Sequence, residues 1–266
     1  MILVDGKALA ANLLAEVKAS VSTLTAAPHL VVITCAPNFE TQKYLALKKA
    51  KAEALGIVLT VEVLPEITTT AEVVGVVEAD AKEADGIIVQ LPLPAHIDTA
   101  AVLAAVPASH DVDAFKYQTG ETTVLPPVVG AIDEIAKQHQ VQFENKQVVI
   151  FGAGRLVGAP AARYATVRGA KVTVLTEDST DSVEAVLAAD IIILGVGKPN
   201  LLTLDMVKEG VVVFDAGASE DGGLLVGDAD PTVASKASLF TPVPGGIGPM
   251  TIALLFRNLL ELKARQ

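Results

Sequence analysis

The stretch Gln147-Val148-Val149-Ile150-Phe151-Gly152-Ala153-Gly154-Arg155-Leu156-Val157-Gly158 decides how this chain reads. Its valine- and isoleucine-rich start predicts a strand over 147–151, and the segment from Val157 to Arg168 predicts a helix. Glycines in the turn between them let the backbone approach a pyrophosphate. The helix N-terminus adds free N–H groups at the positive end of its dipole. Gly152, Ala153, Gly154, Arg155 and Gly158 are therefore candidate cofactor contacts. The spacing is G-x-G-x-x-x-G, one residue longer than the usual dinucleotide fingerprint, and a simple tight turn would carry the same glycines.

The neighbouring segments repeat the pattern. A strand over Lys171–Leu175 leads to Glu177 and Asp178, and Glu177 lies 23 residues after Gly154. An acid at that distance can accept hydrogen bonds from the adenosine ribose 2′-OH and repel a 2′-phosphate, although a solvated turn acid would read the same way. A strand over Asp190–Leu194 ends in Gly195-Val196-Gly197-Lys198-Pro199, and one over Val211–Asp215 ends in Asp215-Ala216-Gly217. Three strands that each end in a glycine loop predict a nucleotide crevice. Alternation continues on both sides, with strands over Leu30–Thr34, Val58–Leu64, Gly86–Gln90 and Leu239–Thr241. Helices are expected over Lys7–Leu24, Thr41–Leu55, Thr70–Lys82, Thr99–Ala105, Val129–Gln138, Asp181–Ala188 and Thr251–Ala264. The fold class is α/β with mostly parallel sheets, and its second half is a Rossmann-type doubly wound sheet.

A second unusual stretch is Thr241-Pro242-Val243-Pro244-Gly245-Gly246-Ile247-Gly248-Pro249-Met250-Thr251, with three prolines and three glycines. Prolines stiffen it and glycines give it an unusual path, which suits a binding loop and also a rigid connector. The 266 residues allow about two domains, and 51% are apolar, yet no apolar run is long enough to span a membrane. The single cysteine, Cys35, fits a reducing compartment, and the start lacks a signal-peptide layout, so a cytoplasmic protein is expected. A net charge of −11 argues against nucleic-acid and acidic-membrane partners. The four histidines show no ligand spacing, and no metal is expected.

In the N-terminal half, Tyr44, Lys48, Lys51 and Leu55 share one face of a helix. A tyrosine one turn before a lysine offers a stacking ring beside an ammonium group, while a solvated lysine face is the plainer alternative. Gln90 ends a strand in Gln90-Leu91-Pro92-Leu93-Pro94, and Asp111-Val112-Asp113 places two acids where they could hold a ligand's N–H groups or form a surface turn.

Together these segments resemble the bifunctional methylenetetrahydrofolate dehydrogenase/methenyltetrahydrofolate cyclohydrolase family, the FolD family. The likeness runs nearly end to end: Val4-Asp5-Gly6-Lys7, Tyr44-x-x-x-Lys48, Asp85 to Pro94, Asp111-Val112-Asp113, Val157-Gly158-Ala159-Pro160, Gly195 to Pro199, Gly227-Asp228, and Pro242 to Thr251. The resemblance implies hydride transfer from 5,10-methylenetetrahydrofolate to NAD(P)+ and then hydrolysis of the methenyl cation to 10-formyltetrahydrofolate. It implies that Tyr44 stacks on the folate and that Lys48 serves water addition and proton transfer. Gln90 would restrain Lys48, and Asp113 would accept from the pterin N–H groups. Pro244, Gly245 and Gly246 would border folate and nicotinamide, and Gly195, Gly197 and Ala218 would line the cofactor. It further implies a homodimer through the Rossmann domain, with a cleft between a folate domain over 1–118 and a dinucleotide domain over 119–250. The terminal helix, with its stripe Ile252, Leu255 and Leu259, is expected to pack back on the folate domain.

Several positions depart from the family pattern. Thr176-Glu177-Asp178 stands where many members have His-Ser-Arg to hold a 2′-phosphate, so NAD is favoured over NADP. Ala153, Gly154, Ala114 and Ala218 replace the family's usual arginine, serine, glycine and isoleucine. Three other functions stay open. A monofunctional dehydrogenase would lack an effective Lys48–Gln90 pair, and a non-catalytic folate or nucleotide sensor would lack the catalytic side chains. An unrelated NAD-dependent dehydrogenase would lack the Tyr44, Lys48 and Gln90 set.

Overall fold

The structure, a computed structural model, describes residues 1–179 and 182–266, so the expected helix start at Asp181 lies outside the described residues. The first elements in chain order are β1 (Ile2–Leu3), α1 (Gly6–Ser22), β2 (His29–Cys35), α2 (Phe39–Leu55), β3 (Val58–Leu64), α3 (Thr70–Asp80), β4 (Gly86–Val89) and α4 (Thr99–Ala105). Next come α5 (Pro127–Gln138), β5 (Gln147–Phe151), α6 (Gly158–Val167), β6 (Lys171–Leu175), α7 (Ser182–Ala188), β7 (Ile191–Leu194) and β8 (Val212–Asp215). The chain closes with β9 (Ser219–Asp221), β10 (Leu224–Val226), β11 (Leu239–Phe240) and α8 (Ile247–Lys263). It divides into two compact units, Asn12–Leu125 with Ile252–Gln266, and Met1–Ala11 with Pro126–Thr251.

The unit of Asn12–Leu125 and Ile252–Gln266 has a parallel sheet in the order β3-β2-β4. Side chains alternate across β2, as the two-residue strand period demands. Leu30 and Val32 pack with Val17, Leu45, Leu55, Leu255, Phe256 and Leu259, while Val31, Ile33 and Cys35 pack with Val73, Val77, Ile97 and Val102. Both faces are covered, which is why β2 and β4 read as continuous apolar runs. Asn38 caps α2 by accepting from the Thr41 N–H at 2.8 Å. Asn258 of α8 is buried and donates its amide N–H groups to Val112 O at 3.0 Å and Leu125 O at 2.9 Å.

The other unit has a six-stranded sheet in the order β1-β11-β8-β7-β5-β6, and every pairing in it is parallel. The first strand of its Rossmann segment, β5, lies between β6 and β7, so the winding reverses there and the carboxyl ends of β5 and β7 flank a switch point. A separate antiparallel pair, β9 and β10, follows β8.

Three expectations are corrected. Met1–Ala11 belongs with the dinucleotide-type unit, because Ile2 and Leu3 pair with Leu239 and Phe240, and the division falls after Leu125 rather than at 118. Two paired residues are too few to leave a periodic signal. The last helix starts at Ile247 rather than Thr251. Pro249 fits its first turn, where a missing N–H leaves no internal bond unmade.

Candidate active site

In the unit of Asn12–Leu125 and Ile252–Gln266, α2 carries Tyr44 and Lys48 one turn apart, and Tyr44 is 56% exposed. The half-buried Lys48 donates from Nζ to Gln90 Oε1 at 2.8 Å. Gln90 is held in turn: its backbone N–H donates to Ile33 O at 2.8 Å and its Nε2 to Leu91 O at 3.0 Å. The Leu91–Pro92 peptide is cis. Burial holds the Lys48 ammonium below the ordinary lysine value, and the negative charge of Asp113 opposes that shift.

The two acids of Asp111-Val112-Asp113 separate into different roles. Asp111 is buried and accepts the Lys116 N–H at 2.8 Å, so its carboxyl folds the following turn. Asp113 is half-buried, and burial pushes its carboxyl up to about 6, with Lys48 pulling it down and Asp111 adding a smaller upward push. Ala114, where the family pattern has glycine, is fully buried with φ 56°. Lys48, Gln90 and Asp113 thus form one electrostatic group, with Tyr44 on the same helix face as Lys48. Burial, a hydrogen-bonded amine and a carboxylate within electrostatic reach equip the group for proton transfer.

The other unit presents the glycine loops after β5, β7 and β8. Gly152 has φ 84° and its N–H donates to Leu175 O at 2.7 Å. A Cβ at Gly158 would overlap Gly152 O, and one at Gly195 would overlap the side chain of Val157. The turn after β5 therefore closes on the start of α6 backbone to backbone, and Gly195 of the loop after β7 packs against the Val157 side chain. Val157, the residue before α6, makes no side-chain capping bond. This close main-chain surface at an uncapped helix start fits a dinucleotide's pyrophosphate. Ala153, Gly154 and Arg155 are exposed in the turn, and Gly154 has open space where a Cβ would stand. Glu177 and Asp178 are exposed just past the end of β6, beside β5. Ala218 is exposed, and its carbonyl would lie 3.8 Å from a Cβ at Gly197.

The proline–glycine loop of the same unit spans Thr241 to Gly246, with a cis Val243–Pro244 peptide and φ 111° at Gly245. Its Gly245 O accepts the Gly6 N–H at 2.8 Å, and a Cβ at Gly6 would overlap Gly246 O. Sequence reading missed Gly6 as the anchor of this loop, although Val4-Asp5-Gly6-Lys7 marks it. It also missed the buried carboxylates of Asp215 and Asp228, whose signal was an acid within two residues of a glycine just past a strand. Asn258 left no signal beyond being polar in an apolar helix.

Two protein-family profiles match the chain: the tetrahydrofolate dehydrogenase/cyclohydrolase catalytic domain over residues 4–113 and the NAD(P)-binding domain of that family over residues 126–266. The bifunctional protein FolD of Campylobacter curvus is 39% identical over 98% of this chain and 95% of its own length. FolD of Streptococcus gordonii is also 39% identical, over 96% of this chain and 95% of its own. The crystal structure of the bifunctional FolD dehydrogenase/cyclohydrolase from Campylobacter jejuni superposes with a TM-score of 0.95 at 36% identity, covering 100% of this chain and 99% of that one. The Trypanosoma brucei FolD structure, complexed with NADP cofactor and inhibitor, has a TM-score of 0.91 at 30% identity, over 99% of this chain and 97% of its own. The chain belongs to the tetrahydrofolate dehydrogenase/cyclohydrolase family.

Proposed function

We propose that the chain oxidises 5,10-methylenetetrahydrofolate to the 5,10-methenyl cation with NAD(P)+ and hydrolyses that cation to 10-formyltetrahydrofolate. The observation that carries this reading is Lys48, an amine lowered in pKa by burial and fixed 2.8 Å from Gln90. The unit of Asn12–Leu125 with Ile252–Gln266 binds the folate, and the unit of Met1–Ala11 with Pro126–Thr251 binds the dinucleotide. Tyr44 stacks on the folate and orients its one-carbon bridge, and Asp113 accepts from the pterin N–H groups. Bound dinucleotide supplies the hydride acceptor. Lys48 then takes a proton from water as the oxygen adds to the methenyl carbon. The carbon–N5 bond of the adduct breaks as its hydroxyl proton passes to N5, leaving the formyl group on N10, and Lys48 releases its proton to solvent. The cationic substrate beside it disfavours the ammonium further. Gln90 keeps Nζ aimed, and Pro244, Gly245 and Gly246 contact the ligands. Gly152, Ala153, Gly154, Arg155, Gly158, Gly195, Gly197 and Ala218 line the dinucleotide.

Glu177 holds the ribose hydroxyls, and with Asp178 it disfavours a 2′-phosphate, so NAD is preferred over NADP. Buried Cys35, whose thiol donates to Pro65 O, suits a reducing cytoplasm. The dinucleotide unit also forms a homodimer: among the described residues β6 is an edge of the sheet, and Val174 on it and Val167 at the end of α6 are 36% and 73% exposed. Light scattering at micromolar concentration checks this, and a monomer would count against it.

The function is tested with purified protein and methylenetetrahydrofolate, following reduction of NAD and NADP and then loss of the methenyl chromophore. Reduction without hydrolysis would leave a monofunctional dehydrogenase. Binding of both ligands without turnover would overturn catalysis altogether.

A further inference from the structure

We infer that Asp228 is a positioning residue for the dinucleotide: its buried carboxylate sets the backbone of the Gly195–Lys198 loop. This role rests on the proposed function, in which that loop contacts the cofactor.

The Asp228 side chain is fully buried, and its oxygens take three backbone N–H bonds from one loop. Val196 N donates to Oδ2 at 2.7 Å, Gly197 N to Oδ2 at 3.1 Å and Lys198 N to Oδ1 at 2.8 Å. The loop begins beyond the paired residues of β7, which end at Leu194. Val196, Gly197 and Lys198 are solvent-exposed, so neither sheet pairing nor side-chain burial shapes this segment. One carboxylate does.

Asp228 is fixed by a second buried acid. Asp215 accepts from Gly217 N at 2.9 Å, Asp228 N at 3.2 Å and Ala229 N at 2.9 Å. Its own N–H donates to Thr241 Oγ1 at 2.7 Å, the residue that opens the proline–glycine loop. The corner is packed tightly: a Cβ at Gly217 would overlap the Asp228 carboxyl, and one at Gly227 would overlap the Asp215 carboxyl. The two acids thereby join the loops after β7, β8 and β11. Burial of a carboxylate is costly, and here main-chain N–H groups offset the cost. Burial pushes the Asp215 carboxyl up to about 6 against the pull of its three backbone N–H bonds, and the neighbouring Asp228 adds a smaller upward push.

This wiring also distinguishes two loops that look alike in sequence. The N–H groups of 196–198 face inward to Asp228, so this loop cannot cradle a phosphate with them. It meets the uncharged part of the dinucleotide, while the turn after β5 takes the pyrophosphate.

The test is Asp228→Asn, which keeps the shape but turns an NH2 toward backbone donors. NAD binding by calorimetry and the KM for NAD are expected to weaken about tenfold or more, from loss of charge-assisted bonds. At saturating NAD, kcat is expected to stay within about threefold. Methenyl hydrolysis, which consumes no dinucleotide, is expected to stay within about twofold. Hydrogen exchange in the ligand-free parent should show slow amides at 196–198 that become fast in the variant. Fast exchange there in the parent overturns the anchoring, whether or not the variant folds. Unchanged NAD affinity in a folded Asp228→Asn chain overturns the role, as does loss of hydrolysis in parallel with NAD binding, which would mark Asp228 as a general fold support. A parent that binds neither dinucleotide overturns the functional reading and this role with it.

Discussion

Replacing Lys48 by methionine removes the ionisable nitrogen and keeps most of the side chain's bulk. The folded state loses one charge-assisted bond, Nζ to Gln90 Oε1 at 2.8 Å, a contribution of about 1.5–3 kcal/mol. It also loses a desolvated ammonium, whose burial already holds the amine below its ordinary value. The two effects oppose each other, so stability should change by no more than about 1–2 kcal/mol. The rate should not survive. A positioned general acid–base group contributes about 10²–10⁴-fold, equivalent to about 3–5 kcal/mol of barrier. A second consequence follows from the same geometry. Asp113 loses the positive neighbour that holds its carboxyl down, so its pKa rises above about 6. The assay follows decay of the methenyl chromophore, with a urea melt to show the variant is folded. Hydrolysis within a few-fold of the parent, in a folded Lys48→Met chain, would mean that Lys48 is a solvated lysine and that the mechanism is wrong.

The Asp113 carboxyl, raised from 3.8 to about 6, predicts that kcat/KM for the folate falls about tenfold per pH unit below about 6, where the acceptor is protonated. Asp113→Asn should have a low and flat profile, and an unchanged acid limb in that variant would refute the assignment. The same raised pKa contributes stability that is full below the ordinary value and lost as pH rises through about 6, so Asp113→Asn should gain stability relative to the parent between pH 4 and 7. Glu177→Ser with Asp178→Arg is expected to narrow or reverse a preference for NAD over NADP of about tenfold or more in kcat/KM. A parent that prefers NADP would show that Arg155, exposed in the turn, outweighs both acids. Asn258→Ala orphans the buried Val112 carbonyl and the part-buried Leu125 carbonyl and should cost about 2–4 kcal/mol in urea unfolding, and a cost below about 0.5 kcal/mol would refute that account.

The α/β class and most elements were legible in the sequence because strands and helices are set by short-range periodicity and by glycines at strand ends. The helix face joining Tyr44 to Lys48 was legible for the same reason, since four residues make about one turn. The strand–turn–helix over 147–167 could be read because β5, Gly152 and α6 are contiguous.

Features that depend on distant chain were not legible. Strand β1 is two residues long and exists only because β11 offers an edge to pair with. The acids Asp111 and Asp113 are alike in sequence, and they differ because one folds its own turn while the other faces Lys48. The glycine loops after β5 and β7 look equivalent until Asp228, 32 residues from Val196, captures the N–H groups of one of them. The lowered pKa of Lys48 likewise needs burial, and the aim of its amine needs a glutamine 42 residues away. Local pattern determined which elements form. Which N–H groups, carboxylates and amines lose water, and what they meet in its place, was decided only by tertiary packing, because desolvation and hydrogen-bond partnering are properties of the assembled core and not of any segment.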